Sequence, residues 1–300
     1  MDSVPQKFGR NYTLIIQTQR GGLLTVQPPF TVEFDIHRNI LSSLNTASIR
    51  IFNLSKTNRD DIEFNIYNQG SFRLVTLLAG YGNALSVIFS GNISQAWSVR
   101  EGTNFITQIE CFDGGYGYSN ANVPAGLTFV PGTPNKVIIE ALIATLAPYF
   151  VTRGAVGNYP GAISRTTSYS GPVSQLLTEL TGGGFYIDNS RAYCLGNSEC
   201  ITTSYPRIDA STGLLGTPVR EQQILTFDMI FEPRVIAGQV IFLQSSTLGN
   251  STQSQAINGF YKVTSIRHRG MISESVCGEA ITNLGMYLGQ NGPDGLTVVK

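Results

Sequence analysis

Residues 72 to 93 read FRLVTLLAGYGNALSVIFSGNI. Phe72 to Ala79 is an apolar, partly β-branched run, and Leu85 to Ile93 is a second one. Gly80, Tyr81, Gly82 and Asn83 stand between them. Two apolar runs of strand length separated by Gly and Asn predict a β-hairpin. Few of these residues carry charge, so both faces of the hairpin are expected to be covered.

Working outward, the preceding segment has the clearest alternation in the chain. Phe30, Val32, Phe34 and Ile36 interleave with Thr31, Glu33, Asp35 and His37. Period two predicts a strand with one buried face. Tyr12–Thr18, Leu24–Val26 and Ala47–Leu54 read as further strands, with Pro28-Pro29 as a break. Ser55 is placed to cap a short helix, with Asp60 and Asp61 early in it. Asp60, Asp61 and Glu63 do not read as a catalytic pair, because consecutive helical residues diverge. After the hairpin, Trp97 and Val99 lead to a turn at residues 101–104, and Phe105–Phe112 closes the set. Strands, one helix and more strands fit a small barrel with a helix on its wall.

Asp113 to Asn120, DGGYGYSN, is a composition break that reads as a linker. It lacks the third glycine of a dinucleotide loop. Two helices follow. Thr133-Pro134 opens one, with Ile138, Leu142 and Leu146 on one stripe. The other starts at Pro172, with Val173, Leu176, Leu177 and Leu180 on one face, and Gly182-Gly183-Gly184 stops it. Phe185–Ile187 and Arg191–Leu195 predict a second hairpin. Residues 201–222 read as a loop, as do 248–256. Leu225, Phe227 and Met229 alternate, and Val240–Leu243, Phe260–Arg267 and Glu274–Ala280 read as strands. The expected architecture is mostly β (α+β), with units at 1–113, 114–200 and 201–300, the middle one mixed α/β.

Composition narrows the function. Only 13% of the 300 residues are charged, Gly totals 32, and the net charge is zero. Lys plus Arg equals Asp plus Glu at 20 each and the two also balance locally along the chain, so no basic stripe gripping a nucleic-acid backbone is expected, while a near-neutral channel that lets DNA pass is still allowed. A surface this poor in charge is expected to become buried in an assembly. No leader-like or membrane-length apolar segment is read. Cys111, Cys194, Cys200 and Cys277 lack metal-type spacing, and Cys194 and Cys200 could face each other across a turn. The two histidines, His37 and His268, have no ligand cluster in sequence. G-x-S-x-G is absent. No cofactor, metal or catalytic residue is expected, and His268 reads as structural or subunit-contacting.

Four segments carry a family resemblance. Ala79-Gly80-Tyr81 followed by Phe89-Ser90-Gly91-Asn92-Ile93 resembles the "AGY … F-x-G-x-I" hairpin of bacteriophage baseplate (tail) hub proteins, relatives of the late-control protein D family. Residues 172–195 are similar to that family's helix, glycine and short hairpin. Phe231-Glu232-Pro233 through Gly238 to Val240 resembles its "P-x-I-x-P-G-x-x-V" turn, with Ala237 where Pro is common. Residues 259–270, GFYKVTSIRHRG, resemble its "G-x-Y-x-V-x-x-V-x-H-x-G" strand, with Met271 where an acid is common.

The resemblance implies two tube-type β-barrels flanking an α/β section, and a homotrimer forming a pseudo-sixfold ring. It implies as partners a tail tube protein, a central spike protein and other baseplate proteins, with DNA only as passing cargo. It also implies a place in the virion tail after assembly in the host cytoplasm. Gly80, Tyr81, Gly91, Pro233, Gly238, Tyr261 and His268 are the architectural residues it singles out. A receptor-binding tail adhesin and a tail-associated cell-wall hydrolase remain as other readings of the residues.

Overall fold

The structure is a computed structural model that describes residues 7–41, 43–64, 73–201, 206–221, 224–249, 257–274, 278–287 and 296–299. Of the described residues, 56% are strand and 14% helix. The N-terminal strands are β1 (Arg10–Gln17), β2 (Leu23–Val26), β3 (Val32–Asn39) and β4 (Thr46–Phe52), then helix α1 (Lys56–Ile62), β5 (Leu74–Tyr81), β6 (Ala84–Glu101) and β7 (Asn104–Phe112). The predicted hairpin is β5–β6. Tyr81 pairs with Ala84 across a two-residue turn whose first residue, Gly82, has φ +56°. That left-handed position is one glycine takes without a Cβ penalty. β6 is one continuous strand of 18 residues. Up to Asn92 it pairs with β5, and from Asn92 onward it pairs with β7. Phe72, and Ile66, which its spacing from Ile62 predicts on one face of the short helix, lie outside the described residues.

Ser55 caps α1, its hydroxyl accepting from the Asn58 N–H. The first turn holds no acid, however. The helix is only seven residues long, so Asp60 and Asp61 fall late in it and pair with Lys56 and Arg20.

The expected linker is instead helix α2 (Gly115–Asn120), entered through Gly114 in the left-handed conformation. β8 (Asn122–Phe129) and α3 (Asn135–Ala144) follow, then a 3-10 turn, Ala147–Tyr149, that holds Pro148. Pro134 is itself the N-cap of α3, and the Thr133 hydroxyl donates to Val130 rather than capping. Next come β9 (Thr152–Val156), β10 (Thr167–Pro172) and α4 (Val173–Thr181). α4 stops at Gly182 and Gly183, both at positive φ. β11 (Phe185–Asp188) and β12 (Arg191–Cys194) form the second hairpin, with Asn189 and Ser190 both at positive φ. Ile138, Ile139, Leu142, Val173, Leu177 and Phe185 are among the residues of this section's own core.

The remaining strands are β13 (Glu199–Ile201), β14 (Arg207–Ile208), β15 (Leu214–Glu221), β16 (Ile224–Ile230), β17 (Val240–Ser245), β18 (Ile257–Ile272), β19 (Ala280–Tyr287) and β20 (Thr297–Val299). Strand therefore occupies much of the segment expected to be a loop after residue 200. The last long strand begins at Ala280, where it was expected to end. Residues 250–256 of the expected 248–256 loop lie outside the described set, as does Cys277.

One sheet runs β15-β16-β19-β18-β3-β4-β7-β6-β5-β1-β2. It crosses from C-terminal to N-terminal strands through β18 and β3, antiparallel from Ser265 opposite Asn39 to Ile272 opposite Val32. Two cores lie beneath it. Phe34, Ile36, Ile49, Ile51, Leu77 and Ile109 belong to the N-terminal one, and Phe227, Met229, Ile266, Leu284 and Met286 to the C-terminal one.

Candidate functional site

Of the seven singled-out residues, Tyr81 and His268 meet beneath the β18–β3 crossing, against Phe231. Phe231, just past the end of β16, is fully buried in the N-terminal core although it comes from the C-terminal strands. Its ring lies 5.8 Å from Phe34 on β3, 6.2 Å from Tyr81 at the hairpin tip, and 5.6 Å, edge-on, from His268 on β18. The Tyr81 hydroxyl donates to the Phe231 carbonyl at 2.7 Å. Burial, aided by the nearby Glu232 carboxylate, pushes that phenol up to about 12.

His268 is wholly buried, with Nδ1 2.9 Å from the Thr282 hydroxyl. The same hydroxyl accepts the Glu232 N–H at 2.9 Å. Burial and the Arg38 charge hold the imidazole down to about 3, so it is neutral. His37, by contrast, is exposed and sits 3.2 Å from Asp35. Pro233 is buried in the turn after Glu232, whose carboxylate pairs with Arg234 at 2.7 Å and with Lys7 at 3.3 Å.

The other motif residues serve neighbouring contacts. A Cβ on Gly80 would overlap the Ala84 carbonyl. One on Gly91, where β6 leaves β5 for β7, would overlap the Phe112 carbonyl. Gly238 has φ +82°, and a Cβ there would meet the Tyr186 hydroxyl. Tyr261 is buried in the C-terminal core opposite Ile241.

A second buried set ties the middle section on. Arg38, on the core face of β3, makes a bidentate pair with Asp188 of β11, with contacts at 2.7 and 2.5 Å. Burial works against that cation, but Asp188 more than offsets it. The Asp113 carboxylate accepts the N–H groups of Asn189 and Ser190, and the Asn45 amide donates to the Ile187 carbonyl. Burial pushes Asp113 up to about 7. The Arg38 Nη1 and His268 Nε2 atoms are buried without a hydrogen-bond partner among the described residues. Sequence reasoning missed Arg38, Asp113, Asp188 and Phe231. Arg38 sits on the same alternation as Ile36, and that parity is its one signal.

The opposite face of the sheet is polar along its middle strands, whereas Leu215, Ile224 and Ile230 toward one side and Trp97 and Phe112 toward the other are exposed apolar residues on that same face. Asp228, Asn283, Arg267, Asp35, Ser48, Arg50, Gln108 and Glu110 lie across it from β16 to β7. They are mutually paired: Arg267 to Asp35 at 2.6 Å, Arg50 to Glu33 at 2.8 Å, Asn283 to Asp228 at 2.8 Å, and Ser48 to Glu110 at 2.9 Å. A groove of about 440 Å³ lies over the β18–β3 crossing on this face. Among the described residues no group of three or more His, Cys, Asp or Glu is placed to hold a metal. Cys111, Cys194 and Cys200 are free and buried, and burial raises each thiol above its usual range. No described helix is long and apolar enough to cross a membrane.

The family model for Baseplate hub gp41 matches residues 13–269. The chain belongs to this family. Among solved structures, the baseplate hub chain is similar to a tail protein from Neisseria meningitidis MC58 (12% identity, TM-score 0.59, covering 97% of this chain and 100% of that one). It is also similar to the prophage MuSo2 43 kDa tail protein from Shewanella oneidensis (8%, 0.57, 94% and 97%). A third match is the E. coli c3393 protein, described as a type VI secretion component with structural similarity to T4 tail proteins gp27 and gp5 (10%, 0.51, 91% and 76%). No curated protein matches. These likenesses show the fold, and the family gives a structural role in the phage tail baseplate.

Proposed function

We propose that three copies of this hub protein form a ring that joins the end of the tail tube to the central spike and lets DNA pass. The observation that carries this reading is the unbroken sheet from β15 to β6, apolar on its core side and polar along the middle strands of the other. A wide sheet with one wet face can close around an axis when copies join edge to edge. Its polar face would then line the passage. Two of the arginines there, Arg267 and Arg50, are already paired with carboxylates, so those two offer little to a phosphate backbone. Residues 1–113 and 201–300 would be the two tube-type barrels and 114–200 the outer section. The tube, spike and other baseplate proteins would be partners, assembly would take place in the host cytoplasm, and no catalysis is assigned.

The test is native mass together with images down the axis. A trimer with a central opening is the expected result. A chain that stays monomeric both at high concentration and in the particle overturns it. Particles from a null allele should lack complete tails. Full-length, spiked tails that fail only at host attachment would favour the adhesin reading instead.

A further inference from the structure

We infer that Phe231 is a wedge that sets the angle between the N-terminal and C-terminal halves of the sheet, and so decides whether copies can close. The inference rests on the ring reading for its last step only. A single antiparallel strand pair, β18 with β3, carries the sheet from one half to the other. Neighbouring strands can twist relative to each other over roughly −10 to −35°, so backbone pairing alone leaves the angle loosely set. The choice falls to what lies under the ladder. Phe34 and His268 project beneath it from its two strands, and Phe231 packs against both.

Three ties hold the wedge in place. Tyr81, at the tip of the β5–β6 hairpin, grips the Phe231 carbonyl. The next residue, Glu232, is fixed through its N–H to Thr282 on β19. Lys7 reaches back to the Glu232 carboxylate from the segment before β1. The wedge is thus held from both halves at once. Closely packed interiors transmit such a volume directly, because they have no slack to absorb its loss. In a closed ring each copy repeats the same angular error, so a small change per copy accumulates around the circle.

Spin labels test this directly. They would be placed on the exposed Thr103→Cys and Thr217→Cys positions, one in each half, of the full chain. Phe231→Ala is expected to shift or at least double the width of the inter-label distance distribution, with strand content by circular dichroism unchanged. It should also lower the trimer fraction more than tenfold. Phe231→Leu, a milder truncation, should move the distance in the same direction and covers the case in which the alanine variant does not fold. A wild-type distance distribution in a folded Phe231→Ala or Phe231→Leu chain overturns the proposal. If the wild-type chain proves not to be a trimer, the ring reading fails, while the distance measurement still decides the wedge.

Discussion

The Tyr81 hydroxyl and the Phe231 carbonyl, 150 positions apart in sequence, meet at 2.7 Å. The hairpin and the C-terminal turn that carry the family resemblance are therefore two sides of one contact. Tyr81→Phe removes that hydrogen bond and leaves the ring in place. It is expected to cost about 1 kcal/mol. A lowered thermal midpoint with an unchanged oligomer would show this, and a midpoint at or above wild type would count against it.

Gly80 and Gly91 stand where a side chain has no room. At both positions a Cβ overlaps a backbone carbonyl rather than a movable side chain. Gly80→Val and Gly91→Val should give insoluble or unassembled protein, whereas Gly82→Asn, at an open turn position that asparagine tolerates, should remain soluble. Soluble yield and sedimentation compare the three. Wild-type assembly by Gly91→Val would mean that β6 can switch partners without the glycine.

Arg38 and Asp188 form a buried pair between β3 and the middle section. Asp188→Asn leaves a buried guanidinium without its counter-charge and should destabilise by roughly 3–5 kcal/mol. Replacing the pair together, Arg38→Met with Asp188→Leu, should recover much of that loss. Urea unfolding of single and double variants measures the coupling, and additive losses would show that the pair does not act as one.

Two buried groups oppose each other with pH. His268 is held down to about 3 from an ordinary 6.5, so the unfolded chain binds a proton that the fold refuses. Its contribution to stability therefore falls as pH drops from 6.5 toward 3. Asp113 is pushed up to about 7 from 3.8, so the fold holds a proton that the unfolded chain releases. Its contribution falls as pH rises from 3.8 to 7. Each slope is at most roughly 1.4 kcal/mol per pH unit, and the two cancel where the windows overlap. Relative to wild type, His268→Gln should lose stability with rising pH across this window, and Asp113→Asn should gain it. Unfolding midpoints at pH 4.5, 5.5 and 6.5 decide this, and the same slope in both variants refutes the assignment.

The hairpin at 72–93, the alternation around Phe34, both middle helices and the mostly β character are legible because each depends on local periodicity. The misses have a common cause. β19 is buried on nearly every residue, so AITNLGMY shows no alternation to read. Asp113 and the short helix after it look like a linker because their partners, Asn189 and Ser190, lie more than seventy positions away. Arg38 keeps the parity of a buried strand face, but nothing local announces a carboxylate waiting for it on β11. Phe231 is an apolar residue two positions before Pro233, and only the fold shows that it crosses into the other half's core.

The β18–β3 ladder has a consequence for how such a particle is built. Joining two β units within one polypeptide makes that joint part of folding, independent of how dilute the protein is. In a ring of three copies, half of the joints between units would already exist before any two chains meet. Only the remaining half would depend on encounter, so the slowest steps of closure would be fewer and a half-made circle would have fewer loose ends to misjoin.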